Sequence, residues 1–368
     1  MTNKKDNTRG KVLAVVGGQY GSEGKGTIVN HLADSFDVHI RVGGPNAGHS
    51  FIHKGELYKM QVIPCGWTNP KAKIVIGRGA LVNIDLLQEE IRMIEQVDPT
   101  IRSRLYIDER AGVLAQRFAN EEGHTKGEIH KRIGSTGEGV GSARVARVNR
   151  DPMNFEFIRD IVKSQNLEDI MADTVHLVNS WIKAGKNVLL EGAQGAGLSL
   201  IHGPWPYVTS HDTNVAQMCA DIGIPPHWVS GTIMVVRSHP IRVAGNSGPL
   251  KNETSWEEIS KKLGREVKEA TTVTHKIRRV GEWDEDLVDM AIRLNDPIAL
   301  ALTFADYIDP SDEGKTSYDE LSHTTRDFVD YLEDTWNVPV VFIGTGGLKD
   351  TGDFQIINRI EGIKGIEL

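Results

Sequence analysis

A glycine-rich stretch that follows a short apolar run constrains the fold of this chain more than any other feature. Residues 12–16 read Val-Leu-Ala-Val-Val, which is typical of a strand covered on both faces, and residues 27–34 have helical spacing. Between them, residues 17–26 read Gly-Gly-Gln-Tyr-Gly-Ser-Glu-Gly-Lys-Gly. Glycine lets backbone N–H groups face a ligand, a helix N-terminus favours negative charge, and Lys25 adds a cation. The pattern predicts a strand, a phosphate-binding loop and a helix in succession.

This loop does not have the spacing of the ordinary P-loop. That motif would place a glycine at position 19, where Gln19 stands, and Ser or Thr at position 26, where Gly26 stands. A glycine-rich turn without a ligand is the alternative interpretation. Because Lys25 and the strand–loop–helix context suit a phosphate, we interpret the stretch as a P-loop-like cradle of a different family.

Composition and charge limit the class of protein and its partners. Of the 368 residues, 39% are apolar and 25% are charged, which is ordinary for a globular protein that can bury a large core. We predict a single domain over residues 1–368. A formal net charge of −8 argues against general binding of nucleic acid, which needs a basic face, and still allows a local basic pocket.

The N-terminal residues and the two cysteines bear on the protein's location. Residues 1–11 lack an apolar signal core, and no run reaches the roughly 18 apolar residues that span a bilayer. Cys65 and Cys219 lie far apart and form no metal-binding or redox spacing, so we expect two buried free thiols. The sequence predicts a cytoplasmic protein without a membrane partner.

Strand-like runs alternate with amphipathic helices along the chain. Besides the first strand, strand character is found over residues 38–42, 73–76, 187–190, 232–236, 299–303 and 338–343. Helical spacing is found over residues 84–97, 168–184, 284–294 and 318–336. The alternation predicts an α/β fold, in which a mainly parallel sheet is flanked by helices and carries inserted loops and small subdomains.

Two further glycine-rich loops suggest that the cradle has neighbours. Residues 43–50 read Gly-Gly-Pro-Asn-Ala-Gly-His-Ser directly after the second strand, and loops at the carboxyl ends of parallel strands collect at one crevice. His49 is therefore a candidate functional residue, although a lone histidine is often structural. Residues 134–141 offer hydroxyls and backbone donors for another phosphate, or form an ordinary flexible turn.

These three loops, together with residues 191–195 (Glu-Gly-Ala-Gln-Gly) and residues 206–210 (Pro-Tyr-Val-Thr-Ser), closely resemble the adenylosuccinate synthetase family. The resemblance covers most of the chain. It implies a P-loop-like α/β fold and a homodimer. It also implies a reaction that joins L-aspartate to carbon 6 of a purine nucleotide with a nucleoside triphosphate and Mg²⁺.

The resemblance also implies a role for individual residues. The triphosphate donor would contact Gly21, Glu23, Gly24, Lys25, Gly26, Thr27, Gly48, His49, Ser50, Phe304, Asp306, Gly344 and Gly346. The purine monophosphate would contact Ser22, Asn46, Ser135, Thr136, Arg147, Gln194, Leu198, Thr209 and Val243, with Arg147 reaching into the neighbouring subunit. Aspartate would be held by Thr271, Thr272, Lys276, Arg278 and Arg279. The metal would lie at Ser22 and Gly48, and the catalytic group would be Ser22, Lys25, His49 and Gln194.

Ser22 is the main departure from the family pattern. The cellular enzymes have an aspartate here, which removes the proton from N1 of hypoxanthine and approaches the metal. A serine hydroxyl does not ionise near neutral pH without an activating base, and losing a general base typically costs about 10²–10⁴ in rate. A phage-associated branch of the family has this serine. It works on guanine nucleotides and makes 2-aminoadenylosuccinate nucleotides for 2,6-diaminopurine.

A physical reason for the serine follows from the guanine ring. Guanine has an amino group on carbon 2, beside the N1 edge that the family's aspartate contacts. A shorter side chain leaves room for this group and can accept a hydrogen bond from it. We therefore expect a guanine nucleotide as the acceptor. The resemblance to the phage-associated branch implies dGMP in preference to GMP, and the host cytoplasm as the location if a phage encodes the protein. Glu23 and the bound aspartate are the candidate bases for N1.

A second departure concerns the phosphoryl donor. Phe304 replaces the lysine of the family's guanine-reading stretch, while Asp306 remains. In the later loop, Gly344 and Gly347 stand where the family has serine and proline. These changes favour ATP or dATP over GTP. Stacking of Phe304 on the donor base and burial of Phe304 in the core are both open.

Two alternative functions are compatible with the sequence. One is an ordinary adenylosuccinate synthetase that uses IMP and GTP, with another group as the base. The other is a noncatalytic nucleotide-binding protein that kept the cradle after losing the aspartate. His49, Gln194, Thr209 and the basic loop speak against the second, because a binding protein needs no aspartate clamp.

Overall fold

The core of the protein is a ten-stranded sheet. The computed structural model describes residues 9–270, 276–348 and 352–362. In chain order the strands are β1 Val12–Gly17, β2 Val38–Arg41, β3 Lys73–Ile76, β4 Leu105–Asp108, β5 Met171–Ala172, β6 Val188–Glu191, β7 Gly231–Arg237, β8 Ala299–Thr303, β9 Val340–Leu348 and β10 Phe354–Asn358. Their order in the sheet is β10-β9-β8-β7-β1-β6-β2-β3-β4-β5. Neighbouring strands are parallel except β9 and β10, which confirms the predicted fold class.

Helices cover both faces of this sheet. The α-helices of the described residues are α1 Lys25–His31, α2 Ile84–Glu95, α3 Ile101–Arg104, α4 Gln116–Glu122, α5 Glu128–Ile133, α6 Val140–Asn149, α7 Ile158–Ile161, α8 Thr174–Lys183, α9 Val215–Ile222, α10 Trp256–Leu263, α11 Glu285–Asn295 and α12 His323–Trp336. None of these helices is long and apolar enough to cross a membrane.

The central strand β1 shows why the apolar run forms a buried strand. Successive side chains of a strand point to opposite faces of its sheet. Val12, Ala14 and Val16 accordingly pack in one hydrophobic cluster, and Leu13 and Val15 pack in the cluster on the other face. All six residues of β1 are buried, so the strand needs apolar side chains in both directions.

Two predicted helices begin later than the sequence suggested. The predicted helix over residues 168–184 is wrong in its first part, because Met171–Ala172 pairs with the end of β4 and the Asp173 side chain caps α8 by accepting a hydrogen bond from the His176 N–H. In the same way, Ser322 caps α12, and the preceding residues Tyr318–Glu320 form a short 3₁₀ turn. Capping residues therefore override the apolar spacing at both sites.

Smaller elements extend from the carboxyl ends of the strands. The pair His49–His53 and Glu56–Met60 forms a hairpin after the second loop. A three-stranded sheet contains the strands Ile241–Arg242, Glu253–Thr254 and Arg279–Gly281, and Leu81–Val82 pairs with Gly112–Val113. The two cysteines are free and buried, as expected.

Candidate active site

A cavity of about 210 Å³ lies at the carboxyl ends of the central strands. It brings together many of the residues that the sequence selected: Gly21, Ser22, Lys25, Asn46, Gly48, His49, Ser135, Thr136, Gln194, Leu198, Thr209, Val243 and Arg278. These residues come from separate stretches of the chain. Because β1, β2 and β6 are adjacent and parallel, the loops that follow them meet at one edge of the sheet.

The loop after β1 has the left-handed backbone that its glycines permit. Gly21 has φ of 88° and Gly24 has φ of 87°, and α1 begins directly afterwards at Lys25. Ser22 also lies in the left-handed region, with φ of 61°, which is uncommon for a residue with a side chain. Ser22 lines the cavity, and no hydrogen bond restrains its hydroxyl among the described residues, so the hydroxyl is an available donor and acceptor there.

The fully buried Glu23 carboxylate occupies the cradle. Its Oε1 atom accepts hydrogen bonds from the backbone N–H groups of Gln19, at 3.1 Å, and Gly21, at 2.8 Å. Its Oε2 atom lies 2.6 Å from Nζ of Lys25. These are the kinds of donor that bind phosphate, so a phosphate group in this loop would compete with Glu23 for them. Glu23 does not line the cavity.

His49 is held by a buried carboxylate, Glu191, at the end of β6. The His49 Nδ1 atom lies 2.6 Å from Glu191 Oε1, which also accepts from Arg41 NH1 at 3.0 Å. The Cys65 N–H donates to Oε2 at 2.7 Å. Burial alone would raise the pKa of Glu191, but Arg41 and His49 outweigh it and hold the pKa at about 2. Glu191 is therefore ionised and accepts the Nδ1–H of His49.

The same surroundings make His49 neutral before a ligand binds. Burial, followed by the positive charge of Arg41, lowers the pKa of His49 to about 4, although Glu191 acts in the opposite direction. With Nδ1–H bound to the carboxylate, Nε2 is the free ring nitrogen. A phosphoryl group beside Nε2 raises the pKa of His49 through its negative charge and favours the imidazolium. Glu191 was not predicted as a site residue, although it begins the stretch 191–195, on which the resemblance to the family partly rests.

Gln194 and Asn46 form a polar wall of the cavity. Gln194 has a left-handed backbone, with φ of 57°, and its Nε2 atom donates to Asn46 Oδ1 at 3.3 Å. Its Oε1 atom is buried and has no hydrogen-bond partner in the described part of the chain. A buried acceptor without a partner costs free energy, so this oxygen favours a ligand with an N–H group.

Glu122 occupies the N-terminus of α6, where the sequence predicted donors for a phosphate. Its carboxylate accepts from Gly139 N–H at 3.0 Å and Ser142 N–H at 3.1 Å, and it lines the cavity. Those two donors are therefore already paired. Ser135 Oγ accepts from the Gly137 N–H at 3.2 Å and shapes the preceding turn. Glu122 is the last residue of α4 and lies 17 residues before Gly139 in the chain, so no local sequence signal linked it to this loop.

Arg242 is a second residue that sequence reasoning missed. Its guanidinium lies over the Tyr20 ring, 4.1 Å from the centroid, and donates to the carbonyl oxygens of Ser247 at 2.6 Å and Tyr207 at 2.7 Å. It is buried and lines the cavity, and its NH1 atom has no hydrogen-bond partner within residues 9–270, 276–348 and 352–362. The next residue, Val243, was predicted to contact the purine nucleotide. Its position directly after the short strand Ile241–Arg242 was the available sequence signal for Arg242.

The predicted donor-base residues lie outside this cavity. Phe304 has φ of 58° and is partly exposed, so it is not the core residue that was considered as an alternative. One face of its ring is covered by the Arg237 guanidinium, 4.0 Å from the centroid. Asp306 is buried, packs beside Gly346 and forms an ion pair with Arg265. Burial raises the pKa of Asp306 to about 6 despite this pair.

The predicted aspartate-binding residues are only partly brought together. Arg278 lines the cavity, while Lys276 Nζ lies 3.1 Å from His130 Nε2. The Arg279 guanidinium binds Glu253 through two hydrogen bonds of 2.7 and 2.5 Å and donates to Ser247 Oγ at 3.1 Å; Ser247 lines the cavity, but Arg279 itself does not. Thr271 and Thr272 lie outside the described residues. Their roles stay predictions.

Arg147 also lies away from the cavity of its own chain. Its guanidinium is 5.9 Å from the Phe155 ring centroid and 5.6 Å from that of Phe157. Burial lowers the pKa of Arg147. This position is compatible with the predicted contact to a neighbouring subunit, which stays a prediction.

Curated relatives align with most of this chain. The sequence profile described as adenylosuccinate synthetase matches residues 14–166 and 154–316. The chain is 39% identical to the adenylosuccinate synthetase of Methanococcus aeolicus over 335 residues, which cover 90% of this chain and 96% of that protein. It is 37% identical to that of Pyrococcus horikoshii over 337 residues, covering 91% and 95% of the two chains.

Solved structures lead to the same family. One is the cyanophage S-2L succinoaminodeoxyadenylate synthetase (PurZ) bound to dGMP and dATP as an energy donor, with 27% identity, 95% coverage of both chains and a TM-score of 0.80. The fully ligated adenylosuccinate synthetase of Plasmodium falciparum has 22% identity and a TM-score of 0.81, covers 94% of this chain and 100% of that chain, and supports the fold alone. The chain therefore belongs to the adenylosuccinate synthetase family of carbon–nitrogen ligases.

Proposed function

We propose that the protein condenses L-aspartate with carbon 6 of a guanine nucleotide, using dGMP in preference to GMP. ATP or dATP donates the phosphoryl group with Mg²⁺, and the product is a 2-amino-(deoxy)adenylosuccinate. The observation that carries this proposal is Ser22, whose unrestrained hydroxyl lines the cavity where the family has an aspartate. The cyanophage structure with dGMP and dATP supports it at 27% identity.

Ser22 and Gln194 suit the edge of guanine. Guanine differs from hypoxanthine by an amino group on carbon 2, which supplies two N–H donors. The Ser22 hydroxyl and the unpartnered Gln194 Oε1 are acceptors in the same cavity. A site that relies on such hydrogen bonds rejects a ligand without the amino group, because its buried acceptor stays unpaired.

The reaction needs one phosphoryl transfer and one displacement. The γ-phosphoryl group passes from the donor to O6 of guanine as N1 loses its proton, and the amine of aspartate then replaces phosphate at carbon 6. Lys25 and His49 supply positive charge or hydrogen bonds to the transferring group. Glu23 is poorly placed to take the N1 proton, because three hydrogen bonds hold its carboxylate behind the cavity wall. This leaves the carboxylates of the bound aspartate as the better candidate base.

The residues at the cavity wall suit Mg²⁺ together with a triphosphate. Mg²⁺ prefers oxygen ligands and commonly takes several of them from phosphates and water. The Ser22 hydroxyl and the Gly48 carbonyl are neutral oxygen donors that would hold the ion. When bound, Mg²⁺ neutralises charge on the phosphoryl group.

The donor site favours adenine. Phe304 offers an aromatic surface in place of the family's lysine and is partly exposed. This replacement supports ATP or dATP over GTP. Asp306 does not discriminate between the two bases, because its Oδ2 atom is paired with Arg265 while its Oδ1 atom is buried and has no partner among the described residues. We further propose that the protein is a cytoplasmic homodimer, in the host cell if a phage encodes it, with Arg147 contributed across the interface.

A second candidate function is the ordinary synthesis of adenylosuccinate from IMP. The curated relatives at 37–39% identity have this name, which favours it. The two functions separate in one assay of aspartate-dependent phosphate release with ATP and Mg²⁺, in which dGMP, GMP and IMP are compared. Turnover with dGMP and not IMP supports the guanine-directed ligase, and turnover with IMP alone refutes it.

Variants of Ser22 test the role of the hydroxyl in that assay. Ser22→Asp restores a carboxylate, so we expect kcat/KM for dGMP to fall about tenfold or more and IMP to become a substrate. Ser22→Ala is the matched control, because it removes the acceptor without adding bulk or charge. We expect it to weaken dGMP without admitting IMP. An unchanged acceptor preference in Ser22→Asp would contradict the proposed selection.

A further inference from the structure

Arg237, at the end of β7, has the largest fully buried side chain among the described residues. Neither the sequence motifs nor the proposed reaction explains why a charged residue should be buried here. A buried charge is tolerated only when it is paired and hydrogen-bonded. Its partners therefore indicate what it does.

Those partners belong to three different parts of the site. The Arg237 guanidinium donates to both carboxylate oxygens of Glu269, at 2.5 and 3.1 Å. Its NH1 atom also donates to the backbone carbonyl of Ser22 at 3.1 Å. Its planar face covers the Phe304 ring at 4.0 Å. The Gln19 side chain holds the Arg237 backbone through two hydrogen bonds of 3.0 Å.

The hydrogen bond to Ser22 bears on the orientation of that residue. Ser22 has φ of 61°, a conformation that few residues with side chains adopt without support. Arg237 holds the Ser22 carbonyl away from the cavity that its side chain lines. The bond therefore stabilises the peptide orientation in which Ser22 lines the cavity.

Glu269 connects Arg237 to the residues that follow. The Glu269 carbonyl accepts a hydrogen bond from Arg278 N–H at 2.9 Å, and Ala270 pairs with Ile277 in an antiparallel bridge. These contacts close the base of the loop, and Arg278 lines the cavity. A displaced Glu269 would move Arg278 with it.

We propose that Arg237, paired with Glu269, is a positioning residue that holds the acceptor, donor and aspartate subsites in register. The subsites are named according to the proposed function, whereas the contacts of Arg237 with Ser22, Glu269 and Phe304 are observed independently of it. Arg237 touches no substrate itself, because it acts through Ser22, Phe304 and the base of the Arg278 loop.

Steady-state kinetics of full-length Arg237→Lys and Glu269→Gln test this role. The lysine variant keeps the charge but loses the fork and the planar face, whereas the Glu269→Gln variant keeps the shape of the side chain but loses its charge. We expect KM for the acceptor and KM for aspartate each to rise about tenfold, because misplaced positioning groups weaken both. The acceptor is whichever nucleotide the unaltered protein uses, so that a failure of the guanine preference and a failure of this proposal remain distinguishable.

Arg104 provides a matched control. It is also buried, and its guanidinium binds the carbonyl oxygens of Ala72 and Trp67 and the carboxylate of Asp98, away from the cavity. Arg104→Lys should leave both KM values unchanged. A lower kcat with unchanged KM in the Arg237 and Glu269 variants would indicate a merely structural role and overturn the proposal, as would an equal rise of KM in Arg104→Lys. If Arg237→Lys does not fold, the KM values of Glu269→Gln alone decide whether the proposal holds.

Discussion

Replacing Glu191 by glutamine should destabilise the protein and impair His49. The carboxylate carries the charge that compensates the buried Arg41 and accepts the Nδ1–H of His49. Its pKa falls from 4.5 in the unfolded chain to about 2. Each factor of ten in proton affinity is worth about 1.4 kcal/mol, so this fall corresponds to about 3 kcal/mol of folding free energy at neutral pH. Because the folded pKa is depressed, the contribution is present above about pH 4.5 and is lost as the pH falls toward 2.

Urea denaturation of Glu191→Gln at pH 7 measures this loss, which should be about 3 kcal/mol. Glu90→Gln is the control, since Glu90 is also buried and accepts only backbone N–H groups. Burial raises the pKa of Glu90 to about 7, so its charge does not stabilise the fold at pH 7 as that of Glu191 does. Its replacement removes one acceptor for the backbone N–H groups and should cost about 1–2 kcal/mol, less than Glu191→Gln. Equal losses in the two variants would refute the charge argument.

The same Glu191→Gln variant should lose activity by about 10² in kcat, because the neutral amide no longer stabilises the imidazolium of His49 and keeps only one acceptor oxygen for His49, Arg41 and the Cys65 N–H. The rate of phosphate release with saturating substrates checks this. A kcat within a factor of about two of the unaltered protein would show that His49 does not need its carboxylate partner.

Three further predictions address the donor, the α6 loop and the assembly. Phe304→Lys restores the family's residue, so kcat/KM for GTP relative to ATP should rise about tenfold; an unchanged ratio would remove Phe304 from donor selection. Glu122→Ala leaves the N-terminus of α6 uncapped, so thermal denaturation should show a loss of about 1 kcal/mol in the free energy of unfolding, and KM for the acceptor should rise. Unchanged stability and unchanged KM would mean that water replaces the carboxylate. Mixing inactive Lys25→Ala and Arg147→Ala chains, after subunit exchange, should recover about a quarter of the activity if a homodimer shares its sites, and none if each chain works alone.

The central fold and the cradle could be predicted because their signals are local. The buried strand, the glycines with positive φ and the start of α1 depend on neighbouring residues, and the structure places them as expected. The helix over residues 168–184 was partly wrong, because Asp173 as a cap was a stronger signal than apolar spacing.

Several site residues could not be found from local pattern. Glu122, Arg237 and Arg242 act across long stretches of chain, and their roles follow from which side chains tertiary packing brings together. The loop that follows Arg242, residues 243–249, contains two glycines but lacks the pattern of a phosphate-binding loop. Phe304 could be placed only by the structure, because an aromatic residue after a buried strand is compatible with both a core and a surface position.

In the proposed function, the Glu23 carboxylate makes the cradle selective for a triphosphate. Inorganic phosphate is abundant in cells and carries the same oxygens as a nucleotide, yet a single phosphate would have to displace a carboxylate that is covalently part of the chain and already bound by two amides and Lys25. A triphosphate would bring further contacts along the loop that offset this competition. We therefore propose that Glu23 keeps a fragment of the substrate from occupying the cradle, at some cost in affinity for the triphosphate itself.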